Sequence, residues 1–315
     1  MLNTTTLDIV KEYEIAKLFQ SNNIQIASSF LKHFNTVPYN PGGFILATEA
    51  GVPEGASSNS AYTPVTPEGE TTTFERGIRY SKSDIYYKTF RQKIEISNQL
   101  ALDTSVDIVS LQELQAINGM LETIAGHMTY SGIESMENAT LEDKKTKFQR
   151  LFQGTNMMST MIRGTKGKPF DHDELFEMYE AMNKKGSLQG SFWLFDEAQL
   201  YSIINAADGR EMIDFNNLVP GSVGTYLGLP IYRNTVLTMS DPDYSKEKHL
   251  AVALIKPQAY TLSFSKIRVL ETKEDTYQAK KGVKVYVIEL EAEGLVTDKY
   301  AKWSKGLLPE GTVVN

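Results

Sequence analysis

Four histidines, at positions 33, 127, 172 and 249, are the side chains best suited to acid–base or metal chemistry, and no two stand at the H-x-x-x-H spacing of a helical metal site. His172 lies between Asp171 and Asp173, which could ligate a cation, but an aspartate capping a helix explains the same triplet. Arg163 to Lys168 is glycine- and lysine-rich like a phosphate loop. It lacks the G-x-x-x-x-G-K-[ST] frame, and Pro169 follows where a helix must begin. No G-x-S-x-G elbow and no G-x-G-x-x-G fingerprint occurs. Carboxylate pairs such as Glu134 and Glu137 carry no feature that separates a catalytic pair from solvated surface. With no cysteine, thiolate sites and disulfides are excluded. The residues point to no enzyme, no cofactor and no metal.

Composition narrows the class further. The chain has 315 residues, 41% hydrophobic and 23% charged, enough to bury a large core unaided. Its net charge is −7, and the densest basic cluster (Lys144, Lys145 and Lys147) follows Glu142 and Asp143, as on a solvated helix face. Tight, sequence-specific nucleic-acid binding is therefore not expected. No apolar run approaches the ~18 residues of a membrane span. Nor does the start show a basic n-region, so a protein made in a cytoplasm is expected.

Several elements follow from periodicity. Ile9, Val10, Tyr13, Ala16 and Leu18 predict an amphipathic helix capped by Thr6, and Ile24 to Phe34 a second one before Pro38. Residues 51–70 are rich in Gly, Pro, Ser and Thr. Beyond them Phe74, Ile78, Tyr80, Tyr86 and Tyr87 are interleaved with Arg76, Arg79, Lys82 and Lys88. This reads as a long two-stranded excursion, and an isolated hairpin is marginal in water. Phe90, Ile94 and Ile96 then alternate with Arg91, Lys93 and Glu95 in a half-buried strand.

The longest helix is predicted over 105–131, capped by Thr104 or Ser105. Val106, Leu114, Ile117, Met120, Leu121, Ile124 and Met128 lie within about 120° of its circumference. Gly119 and Gly126 share the opposite face, where a neighbouring backbone could approach closely. Residues 132–168 read as loop. A helix follows Asp171 or Asp173 and ends at Gly186; Phe192 to Phe195 read as a short strand, and Asp196 caps a helix running to Gly209. Strands are predicted at Gly228 to Tyr232, Leu250 to Ile255, Ile267 to Leu270 and Val283 to Leu290, the last buried on both faces. The class is mixed α+β.

That element order resembles the Hong Kong 97-type major capsid proteins of tailed bacteriophages. The run from Lys93 to Leu100, with Asp103 and Ser105 entering the helix, is similar to the family's passage from extended loop to spine helix. Trp193 to Met212 resembles its strand, helix and Asp-Gly-Arg turn, here Asp208, Gly209 and Arg210. Leu227 to Ile231 resembles its Gly-Leu-Pro strand entry, and Ala251 to Lys305 its closing strands.

The resemblance implies an N-terminal arm over 1–43, an extended β-hairpin loop over 44–97 and a spine helix over 104–131. It implies a peripheral domain containing 98–169 and 257–315, and an axial domain over 170–256. It also implies a virion shell of hexamers and pentamers enclosing double-stranded DNA, assembled in a bacterial cytoplasm with a separate scaffolding protein, a portal and a decoration protein as partners. The assembly contacts expected are Phe74, Arg76, Ile78, Arg79, Tyr80, Lys82, Tyr86, Tyr87, Lys88, Gly119 and Gly126. Lys82 and Lys88 are the lysines that could be joined covalently to a neighbour. An encapsulin-like nanocompartment, the same architecture around cargo enzymes, is the alternative.

Overall fold

A computed structural model describes residues 7–21, 26–40, 45–51, 79–84, 86–103, 107–133, 139–151, 160–163, 172–184, 188–205, 213–215, 219, 221–233, 249–272, 278, 281–297 and 302–307. The chain begins with strand β1 (Leu7–Tyr13), helix α1 (Ile15–Gln20) and a 3-10 segment (Ile26–His33). Strands β2 (Asn35–Pro38), β3 (Ile45–Gly51), β4 (Arg79–Asp84) and β5 (Lys88–Ser97) follow. Next come α2 (Asn98–Asp103) and α3 (Ile108–Gly126), which runs into a π turn at His127–Ser131. The middle holds α4 (Leu141–Thr146), β6 (Thr160–Arg163), α5 (His172–Lys184), β7 (Phe192–Phe195) and α6 (Glu197–Asn205). After β8 (Ile213–Asp214), β9 (Gly224–Tyr226) and β10 (Leu229–Arg233), the chain is mostly strand: β11 (His249–Ile255), β12 (Tyr260–Phe264), β13 (Ile267–Thr272), β14 (Val283–Val296) and β15 (Lys302–Leu307).

Two sheets carry the body. The first has the order β1-β13-β14-β12-β2, with β5 on the other flank of β14; the second has the order β6-β15-β11-β7-β10-β9-β8. Strand β14 is the spine of the first sheet, paired with β5 over ten residue positions and with β12 and β13 on its other side. Helix α3 lies against this sheet through Ile117, Met120, Leu121 and Ile124, all buried with Ile96, Ile288 and Leu290. Burying even half a dozen such side chains contributes on the order of 10 kcal/mol before the entropy of ordering is subtracted.

The second sheet is covered on both faces, which explains why Phe192 to Phe195 read as an unbroken apolar run. Phe192 and Leu194 join Tyr232, Ala253 and Ile255 in the core shared with α3, whereas Trp193 and Phe195 face Leu175, Met178 and Met182 of α5 and Leu200 and Ile203 of α6. Asp196 caps α6, its carboxylate accepting from the Gln199 amide at 2.6 Å.

The fold departs from the sequence-based expectations in four places. Residues 7–13 form a strand against β13, not a helix, with a bulge between Ile9 and Lys11. The cap of α3 is Asp107, accepting from the Ser110 amide, rather than Thr104 or Ser105, which lie outside the described residues. Residues 88–97 belong to the body as β5, so the expected excursion closes by Asp84. The stretch read as loop after 132 contains α4 and β6, and β6 and β15 pair with each other in the second sheet, not the first. Of the two glycines on the helix's other face, Gly126 is buried and Gly119 stands over β5, where an added Cβ would meet Gln92 Oε1 at 3.6 Å.

Candidate assembly surface

The excursion is reduced, among the described residues, to the antiparallel ladder of β3 and β4, with Ile45 opposite Asp84 and Gly51 opposite Arg79. Among the described residues this two-stranded sheet pairs with neither larger sheet. Its backbone therefore presents edge groups of the kind that invite strand pairing with another chain. Arg79, Tyr80 and Lys82 stand on β4; Phe74, Arg76 and Ile78 lie outside the described residues.

Of the three remaining residues, Tyr86 and Tyr87 are half-buried beside the body, and Lys88 lies inside it. Lys88 is 5% exposed and its ammonium pairs with Glu293, itself 1% exposed, with the Phe148 ring 5.4 Å from Nζ. Burial pushes the Glu293 carboxyl up to about 7 and the Lys88 ammonium down, against the mutual attraction that opposes both shifts. Lys88 thus points into its own subunit and is not presented to a neighbour. The Tyr86 amide donates to Glu293 at 3.2 Å, and Tyr87 Oη lies 2.8 Å from Ser263 Oγ. Local sequence marks Lys88 as a surface lysine and gives no sign of Glu293, since the two lie far apart in the chain and meet because β5 pairs with β14.

The polar face of the first sheet is an ion-pair ladder. Glu289 accepts from Arg91 Nε at 2.5 Å and also from Arg268, Arg268 lies 3.8 Å from Glu291, and Tyr39 donates its hydroxyl to Glu291. Opposite charges are thus matched across neighbouring strands along this face. On the other side, the buried Glu113 of α3 receives Tyr13 Oη at 2.5 Å and Lys11 Nζ at 3.1 Å, tying the N-terminal strand to the long helix.

Chemistry-bearing groups do not converge. Among the described residues, no three His, Asp or Glu side chains are grouped to hold a metal ion. His172 Nδ1 meets Tyr226 Oη, and His127 packs among Phe90 and Phe148. His33 lies 4.6 Å from the Tyr232 ring and 5.4 Å from Phe192, where burial and then the nearby Lys32 hold its pKa down at about 4. A groove of about 750 Å³ between α1, β2 and the β12–β13 turn is lined chiefly by Ile15, Phe19, Phe34, Val37 and Phe264. Two of its charged lining groups, Glu14 and Lys266, are paired with Lys17 and Glu12. No helix among the described residues is long and apolar enough to cross a membrane.

No family model matches the chain, and no curated protein matches it by sequence. Solved structures do match by shape. The capsid of a native GTA particle superposes with a TM-score of 0.58 at 13% identity, over 90% of each chain. A structure from Mycobacterium phage Adephagia gives 0.56 at 12% identity over 92% of each chain. The holo-SrpI encapsulin complex of Synechococcus elongatus gives 0.55 at 11% identity, over 91% of this chain and 90% of that one. Identities this low carry the fold and not the occupation, and the fold spans nine-tenths of the molecule on both sides of each comparison. The chain has the Hong Kong 97-type fold of capsid subunits.

Proposed function

We propose that this chain is the major shell subunit of a tailed-phage-type head, a non-enzymatic protein that assembles with copies of itself around double-stranded DNA. The observation that carries the reading is the β3–β4 ladder, a two-stranded sheet that, among the described residues, joins neither of the two larger sheets. A strand pair with open edges gains most by lying on another copy. Contacts of that kind are heterologous, and repeated about rotation axes they close into hexamers and pentamers. A specific interface buries about 1,600 Å² in total, which overlapping hairpins and sheet edges of a 315-residue subunit readily supply. The acidic balance and the matched ion pairs suit a wall that encloses DNA without gripping it. A separate scaffolding protein and a portal are the expected partners, and the virion the expected location.

The superposition on an encapsulin gives the second reading, a shell around protein cargo. Expression of the full chain, with and without scaffold supplied, followed by negative-stain microscopy of the high-mass fraction, tests the shell itself: closed particles are expected, and a protein that remains a small oligomer under all conditions contradicts it. The contents of particles formed in the native host separate the two readings, nuclease-protected DNA for the head and bound enzyme for the compartment.

A further inference from the structure

Where the excursion leaves the body, both of its legs are fastened to the same two strands. On the outgoing leg, Tyr39 donates to Glu291 of β14, its ring meets Tyr87 edge-on at 4.6 Å, and the Asn40 amide donates to Tyr87 Oη at 3.2 Å. On the returning leg, Tyr87 Oη contacts Ser263 Oγ of β12 at 2.8 Å. One residue later Lys88 enters the interior and pairs with Glu293 of β14, which also takes the Tyr86 amide at 3.2 Å. A chain segment held at one point can pivot; one held at both legs, to strands locked in a common ladder, cannot.

We propose that Tyr39, Tyr87, Lys88, Ser263, Glu291 and Glu293 form a clamp that sets the direction in which the excursion leaves the subunit before any neighbour is met. The two halves of the clamp differ in kind. Lys88 and Glu293 are a buried latch: removing either leaves the other charge stranded in the interior. The tyrosine cluster is half-exposed and holds the outgoing leg by neutral and charge-assisted hydrogen bonds, so it fixes the direction without carrying the fold. In the shell, which is the reading proposed above, a direction set in advance means that each arriving subunit offers its hairpin already aimed, and the ordering entropy is met during folding rather than at assembly.

The absence of native cysteines makes a direct test available. Nitroxide labels on Ser81→Cys of β4 and on Gln258→Cys, an exposed turn position beside β12, report the separation of excursion and body in the full-length unassembled subunit by double electron–electron resonance. A single narrow distance peak is expected in the parent. Loss of that single peak is expected in Tyr39→Phe/Tyr87→Phe and in Glu293→Gln, with circular dichroism unchanged in the tyrosine variant. A broad distribution in the parent, or a single peak retained in the tyrosine variant, overturns the clamp. Should Glu293→Gln fail to fold, the tyrosine variant still decides, because its deletions are two hydroxyls at the surface. Particle formation is scored separately, so a chain that never builds shells retires the shell reading while the distance measurement continues to judge the clamp.

Discussion

Strands β4 and β5 are separated by three residues and look alike in sequence, each mixing aromatic or aliphatic residues with arginine and lysine, yet they have opposite fates. Strand β5 runs for ten residues along β14 and places Ile96 in the core beneath α3. Among the described residues strand β4 pairs with β3 alone. The difference is what each can find within its own chain. β5 carries Phe90, Ile94 and Ile96 on one face, and β14 offers a long, β-branched partner beside a helix. The six residues of β4, from Arg79 to Asp84, hold Tyr80 as their one large apolar-bodied side chain. One strand completes a core, and the other is left with an edge to offer.

That contrast can be broken by mutation. Ile96→Ala, at a site only 2% exposed, is expected to cost about 3 kcal/mol in a denaturant titration. Leu46→Ala in β3 is expected to leave the subunit's midpoint within about 0.5 kcal/mol while impairing shell formation. Equal losses for the two variants would erase the distinction. A smaller effect sharpens the boundary where the excursion meets the body. Gly294 lies under the Tyr260 ring, and an added Cβ would come within 2.5 Å of it, so Gly294→Ala is expected to cost about 2 kcal/mol by the same titration. A neutral result would show that Tyr260 can move aside. On the N-terminal side, Tyr13→Phe removes the hydroxyl held by Glu113 and is expected to cost about 1 kcal/mol, read from the thermal midpoint.

The gentlest probe is pH. His33 sits where the two sheets share a core, and its pKa is held down at about 4 against an ordinary 6.5. The folded state therefore favours the neutral ring. The stability this contributes is complete above about pH 6.5 and is lost as pH falls toward 4, where a buried charge would have to form beside Lys32. Comparing midpoints of the parent and His33→Phe between pH 7 and 4.5 isolates this effect: the variant should lose less stability on acidification, and identical slopes would show that His33 is not part of it.

What the sequence disclosed and what it hid divide along physical lines. Helix α3, the run Phe192 to Phe195, the Asp196 cap and strand β14 were readable because each carries its signal locally, as periodicity, as an unbroken apolar stretch or as a cap. Strand β1 was misread as helix. The bulge between Ile9 and Lys11 breaks the period-two alternation, and its partner β13 lies some 250 residues away. Pairing across such a distance overrides local preference and leaves little trace in a short window. The same holds for the placement of β6 and β15 in one sheet and for Lys88. By spacing alone, that lysine is one more basic residue of an excursion; only its burial against Glu293 shows that it belongs to the interior. The end of the excursion was accordingly drawn too late, and a deletion meant to remove it must stop at Asp84.

In the proposed shell the β3–β4 ladder is dispensable to the subunit and necessary to the particle. Replacing residues 45–84 with a short glycine–serine linker and following both the thermal midpoint and the particles seen by electron microscopy tests this most directly. A midpoint close to the parent's together with the disappearance of regular closed shells is the predicted result. Regular shells built from the shortened chain would contradict it.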